Sequence, residues 1–168
     1  MNTPMRTEMD PLIALLDVEE FESLLAREEM RRSRTGESLA VAVLDVDGMR
    51  VLTSRHGAAA GAEALRLCAS TLTRSIRTVD EVAHTDHDEF CVLFHATDAS
   101  SVAVWVERFE EALGTGSATH PAGPITCAVG LADTSEEPTL MEVAARARRR
   151  MEIIQTVRKL RRARESEG

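Results

Sequence analysis

Aromatic side chains are scarce in this 168-residue chain, which has no tyrosine, one tryptophan and four phenylalanines. A surface that works by stacking single-stranded bases on rings is therefore excluded. Lysine is rarer still, one residue against 19 arginines. The three cysteines, Cys68, Cys91 and Cys127, are odd in number, far apart and set in apolar patterns. That argues against a disulfide framework or a C-x-x-C redox site and fits reduced, buried thiols of a cytoplasmic protein. No apolar run approaches the ~20 residues that a membrane-spanning helix needs, and the opening MNTPMRTEMD lacks the pattern of a signal peptide. Neither a P-loop nor a G-x-S-x-G motif is present.

What remains is an ordinary globular composition, 43% hydrophobic and 29% charged. The length suits one domain over residues 1–168 that can bury a core without disulfides or structural metal. Charge is unevenly spread. From Arg146 onward there are nine basic and three acidic residues, a net of +6, while residues 1–145 carry 11 basic and 25 acidic, a net of −14. A basic helix on an acidic body either contacts an acidic partner, a membrane or nucleic acid, or neutralises its own domain. The absence of interleaved aromatics favours self-neutralisation.

Hydrophobic spacing predicts alternating elements. Asp10-Pro11 opens a helical pattern through Arg34, and Leu39–Leu44 is a strand. Met49–Arg55 and Ala58–Thr78 are helices separated by Gly57. A hairpin follows, with strands at about 81–85 and 89–95. Asp98 or Ser100 caps the next helix, Gly114–Pro124 is a loop, Ile125–Ala132 is a buried strand, and a basic helix runs over about 139–164. There are no internal repeats and no linker.

Two strands deliver acids to their ends. Leu39–Asp47 (LAVAVLDVD) finishes on Asp45 and Asp47, and Asp86, Asp88 and Glu89 sit at the hairpin turn. Hard cations take carboxylate and carbonyl oxygens and bring nucleotide phosphates with them, so this pattern points to Mg²⁺ or Mn²⁺ chemistry. The competing assignment makes Asp45 and Asp47 helix caps and Asp88 a hairpin-tip acid. His84, His87 and His95 flank the same hairpin, but strand residues alternate faces, which favours surface or satisfied histidines over a transition-metal site.

The order of these motifs resembles the GGDEF family, the diguanylate cyclases. Asp10-Pro11-Leu12 through Phe21 stands where the family has a DPLTGLxNRxxF-like segment. Leu44-Asp45-Val46-Asp47 through Ser54, then Gly57 through Ala62, stand for LDIDxFKxIND and GHxxGD. Asp86-His87-Asp88-Glu89-Phe90 stands for GGDEF, and Ala128-Val129-Gly130-Leu131-Ala132 for the SIGVA-like strand. The resemblance covers roughly residues 10–155 and implies an α/β fold. Its palm-like core is a mixed, mainly antiparallel sheet of about five strands flanked by helices.

By the same resemblance, Asp45, the Val46 carbonyl and Asp88 are the metal ligands, for Mg²⁺ or Mn²⁺ bound weakly. Two glycines that let the backbone approach phosphates are replaced by Asp86 and His87. The guanine-reading Asn and Asp become Thr53 and Ala62, and a phosphate-contacting Lys becomes Glu152. Losing the polar partners of a base edge costs several kcal/mol. GTP cyclisation is therefore expected to be lost, leaving Asp86, His87, Asp88 and Glu89 vestigial. The family's RxxD product site recurs as Arg77-Thr78-Val79-Asp80, five residues before the motif, with Arg108 in the AER-like segment. RxxD also reads as a surface i,i+3 ion pair. Together these features imply a cyclic diguanylate receptor, acting on a separate effector protein because no sensory or output segment is expected in the chain. The alternatives are a partner-binding pseudoenzyme without nucleotide and a metal-dependent nucleotidyl cyclase of altered specificity. A weak homodimer is expected, and neither membrane nor nucleic acid as a partner.

Overall fold

A computed structural model describes residues 9–166. Most of the N-terminal stretch read above for a signal peptide, and the last two residues, lie outside the described residues. The elements are α1 (Val18–Thr35), β1 (Leu39–Val46), α2 (Met49–His56), α3 (Ala58–Ser75), β2 (Glu81–His84), β3 (Glu89–His95), α4 (Ala99–Gly116), β4 (Cys127–Asp133) and α5 (Leu140–Ser166). The strands form one sheet in the order β2-β3-β1-β4, with each neighbouring pair antiparallel. Four strands are present among the described residues, not about five. The parallel component is an isolated bridge, in which the Leu16 N–H donates to the Val82 carbonyl and the His84 N–H to the Leu16 carbonyl.

β1 pairs on both edges, and Leu39 to Leu44 are fully buried. An unbroken apolar run is what a strand covered on both faces requires. Successive side chains leave on opposite faces. Ala40, Ala42 and Leu44, with Phe90 and Val92, pack under α2, α3 and α4, while Val41 and Val43, with Cys91 and Leu93, pack under α1 and α5.

Boundaries differ from the sequence reading where local hydrogen bonding intervenes. α1 begins at Val18, not Asp10, because Asp17 forms a capping box with Glu20. Asp10-Pro11 belongs to a turn whose carboxylate accepts from the Leu12 N–H at 3.1 Å. α3 stops at Ser75, where Ile76 turns extended. Asp98 is the cap of α4, and that helix continues to Gly116, into the stretch expected to be loop. These lengths bring the end of β1, the β2–β3 turn and the second half of α5 to one end of the sheet.

Candidate functional site

At this end Asp45 lies opposite Glu89 of β3 and Ala128 of β4. The Val46 N–H donates to the Asp88 carbonyl at 3.0 Å, tying the hairpin tip to β1. Asp45, Val46 and Asp88 consequently line one cleft of about 550 Å³. Gly48 occupies the N-cap of α2 and no side chain caps that helix, so neither Asp45 nor Asp47 serves as its cap. Burial, then the charges of Asp88, Glu89 and Asp47, push the Asp45 carboxyl up to about 7, partly offset by a hydrogen bond from Gln155.

Two of these three neighbouring acids, Glu89 and Asp47, are already paired. Glu89 takes a bidentate pair from Arg148, at 2.7 and 3.1 Å, and the Thr85 hydroxyl at 2.8 Å. Asp47 accepts from the Thr126 hydroxyl at 2.7 Å and from Arg158 at 2.6 Å. Among the described residues no group of three or more Asp, Glu, His or Cys side chains surrounds a cation position. What remains is the pair of carboxylates Asp45 and Asp88, a donor set that hard cations accept but hold weakly. Sequence reasoning missed Arg148, Gln155 and Arg158. Their spacing of seven and then three residues places them on one helix face, the only signal available in an arginine-rich run.

At the hairpin tip, Asp86 and His87 adopt ordinary negative φ, since Ala96 is the one non-glycine residue at positive φ among the described residues. The Asp86 carboxylate folds back to accept from the His87 N–H at 2.7 Å. A backbone donor that an open glycine loop would present to phosphate is thereby occupied by a negative group. His84 stacks on Phe90 at 4.9 Å, whereas His95 meets Arg31 at 3.0 Å at the far end of β3. The three histidines do not converge.

Thr53 of α2 and Ala62 of α3 line a second cleft of about 640 Å³, with His87 and Asp88 at its edge. Met49, Ala58 and Leu65 make its walls largely apolar. Gly61 lets the two helices close up, for a Cβ there would stand 2.6 Å from the Thr53 Oγ1. Glu152 is exposed on α5, and the cations lining the acidic cleft are Arg50, Arg158, Lys159 and Arg162.

Arg77 and Asp80 form a turn after α3. The Asp80 side chain is 1% exposed and accepts from the Arg77 N–H, Nε and Nη2 and from the His95 N–H, all at 3.0–3.1 Å. Arg77 is 54% exposed and also donates to the His95 carbonyl. The acid half of this pair is built into the fold and the cation half faces solvent. Arg77 lines a cleft of about 500 Å³ with Arg27 and Arg31 of α1, two cations that sequence reasoning did not connect to it. Arg108 is exposed on α4, three residues beyond Trp105, whose indole N–H donates to the Ser75 carbonyl at 3.1 Å. α4 is thereby fastened to the end of α3 just before Arg77, although no hydrogen bond or ion pair joins Arg108 to Arg77 or Asp80 among the described residues.

No helix among the described residues is long and apolar enough to cross a membrane. Residues 7–159 match the family described as diguanylate cyclase, GGDEF domain. The chain is 32% identical over 124 residues to the diguanylate cyclase DgcP of Pseudomonas aeruginosa, covering 73% of this chain and 18% of that protein. It is 26% identical over 132 residues to the diguanylate cyclase DgcS of Shewanella oneidensis, covering 79% of this chain and 44% of that protein. It therefore spans less than half the length of either relative. The GGDEF domain of DgcB from Caulobacter crescentus, solved in complex with c-di-GMP, superposes with a TM-score of 0.77 at 23% identity, over 90% of this chain and 92% of that one. From the acid-tipped β1 to the β2–β3 turn that carries Asp88, and through most of α5, this chain belongs to the GGDEF domain family.

Proposed function

We propose that this domain binds cyclic diguanylate as a regulatory receptor and does not make it. The observation that carries the reading is the contrast between the two ends of β3. At the tip, Asp86 closes a backbone donor to phosphate and Arg148 draws Glu89 away. At the other end, Asp80 holds the Arg77 guanidinium in one orientation facing solvent. The ligand has two phosphates and two guanines, and a fixed guanidinium can grip the one or lie on the other. Arg108 supplies a second cation from α4. Asp80 acts first as the anchor of Arg77, because its oxygens are already taken. That the DgcB domain was solved with c-di-GMP supports the choice of ligand. Mg²⁺ or Mn²⁺ fits the Asp45, Asp88 and Val46 oxygens as a weak occupant, because a cation would offset the burial and then the neighbouring carboxylate charges that raise Asp45.

Calorimetric titration with cyclic diguanylate, and incubation with GTP and Mg²⁺ or Mn²⁺, test both halves. The wild-type chain is expected to bind the ligand and to leave GTP unconverted. Arg77→Ala removes a charge-assisted contact worth roughly 1.5–3 kcal/mol, about ten- to a hundredfold in affinity. Asp88→Ala leaves the affinity unchanged. GTP turnover at about 1 s⁻¹ overturns the reading. So does loss of binding in Asp88→Ala but not in Arg77→Ala. A second reading draws on the Thr53 and Ala62 cleft, which is open and faces the same Asp88. Turnover of a different nucleoside triphosphate with Mn²⁺ would establish a cyclase of altered base preference. With no nucleotide bound at all, a pseudoenzyme acting through protein partners takes its place.

A further inference from the structure

The arginines of α5 divide into two sets. Arg146, Arg148, Arg150, Arg158 and Arg162 each pair with an acid of the body. Arg149, Arg161 and Arg164 are exposed and pair with none among the described residues. The free set is not scattered. Each member lies four residues from an exposed apolar side chain, Arg149 from Ile153, Arg161 from Val157 and Arg164 from Leu160, and residues four apart are neighbours on a helix. Ile153, Val157 and Leu160 are 63%, 53% and 60% exposed, and their i, i+4, i+7 spacing makes one continuous stripe.

We propose that this face of α5 docks an acidic amphipathic helix of a different protein. An apolar stripe edged by unpaired guanidiniums calls for apolar anchors flanked by carboxylates, in the helix-against-helix mode of recognition. A second copy of the same face fits badly, since it would set arginine against arginine along the seam. A bilayer surface is disfavoured because no aromatic anchor lies on this face, where Phe21, Phe90, Phe94, Trp105 and Phe109 are all buried elsewhere. Nucleic acid has no use for the aliphatic stripe between the cations. The face is also presented rigidly. On the reverse side of the same turns, Arg158 donates to Asp47 at 2.6 Å and to the Cys127 carbonyl at 2.7 Å, so little ordering remains to be done on binding. This surface lies apart from Arg77 and does not rest on the receptor reading.

The test uses the full chain and a fluorescent synthetic peptide of about 18 residues, helical, with leucines at i, i+4 and i+7 flanked by glutamates. The peptide is expected to bind, less tightly as salt rises. A counterpart with lysine for each glutamate does not bind. Val157→Asp, and separately the pair Arg161→Glu with Arg164→Glu, lose at least tenfold in affinity while the unfolding midpoint and the response to cyclic diguanylate stay at the wild-type values. Equal binding of the two peptides, or wild-type affinity in Val157→Asp, overturns the proposal. Sedimentation with phosphatidylglycerol vesicles without peptide binding assigns the face to lipid instead. Self-association that Val157→Asp abolishes assigns it to a second copy.

Discussion

Gly130 has no room for a side chain. It lies on the face of β4 that meets α5, where a Cβ would stand 1.9 Å from the Ala147 carbonyl oxygen and 2.4 Å from the Met151 nitrogen. Both atoms belong to helix backbone and cannot swing aside, so Gly130→Ala must lift α5 from the sheet. Overpacking of this kind costs typically 1–3 kcal/mol, and a backbone obstacle puts the expected loss at about 3 kcal/mol. Urea unfolding reads it as a lower midpoint at unchanged slope. An unchanged midpoint would show that α5 does not sit this close to β4. The consequence reaches the site, because the same helix carries Arg148 to Glu89, Gln155 to Asp45 and Arg158 to Asp47. A residue that touches none of the acids sets the distance at which they are neutralised.

At the scale of elements, α1 shows how a helix start is decided. The Asp17 carboxylate accepts from the Glu20 N–H at 2.8 Å, and the Glu20 carboxylate accepts from the Asp17 N–H at 2.8 Å. Asp17→Ala breaks this box and should cost about 1 kcal/mol, measured as a lower thermal midpoint, whereas Asp10→Ala should cost less because Asp10 caps only a turn. Equal losses in the two variants would restore the earlier helix start. The apolar spacing of Leu12, Leu15 and Leu16 misleads here because those side chains are partly buried for other reasons. Leu12 and Leu15 pack against the core from a turn, and Leu16 bridges β2. The D-x-x-E pattern at 17–20 was the better signal. β1 and the hairpin are legible because unbroken apolar runs at Leu39–Leu44 and Phe90–Phe94, the second following an acidic turn, leave few other solutions. The convergence of Asp45 and Asp88 follows from that pairing. The neutralising partners are not legible, since they arrive from a helix some sixty or more residues further along the chain. In a stretch reading Arg146-Ala147-Arg148-Arg149-Arg150, composition cannot tell the inward arginine from the outward one.

Over the whole molecule, the scarcities of the sequence become a physical property. With no tyrosine and one lysine, the chain has few side chains other than thiols of a type that changes charge in the alkaline range. All three thiols are buried, Cys68 and Cys127 under α3 with their sulfurs 3.7 Å apart, and Cys91 under the opposite face. Burial pushes the Cys91 thiol up to about 12, from 9.0 for a free one, with a smaller opposing effect from the Thr85 hydroxyl. Contact with the Cys68 thiol, and then burial, also hold the Cys127 thiol well above its ordinary value. A raised folded-state pKa means that the unfolded chain releases its proton first as pH rises. The stabilisation is therefore complete below pH 9 and is lost progressively up to about pH 12. Each such thiol contributes a fall of about 1.4 kcal/mol per pH unit within that window. Urea unfolding between pH 8 and 11 should show stability level at first and then declining, with a shallower decline in Cys91→Ala. The native thiols should also stay unreactive to alkylation at pH 9, where an exposed cysteine is readily labelled. A flat profile to pH 11, or rapid labelling of the native chain, would mean that these sulfurs reach water and that the two faces of the sheet are not sealed by α3 and α5.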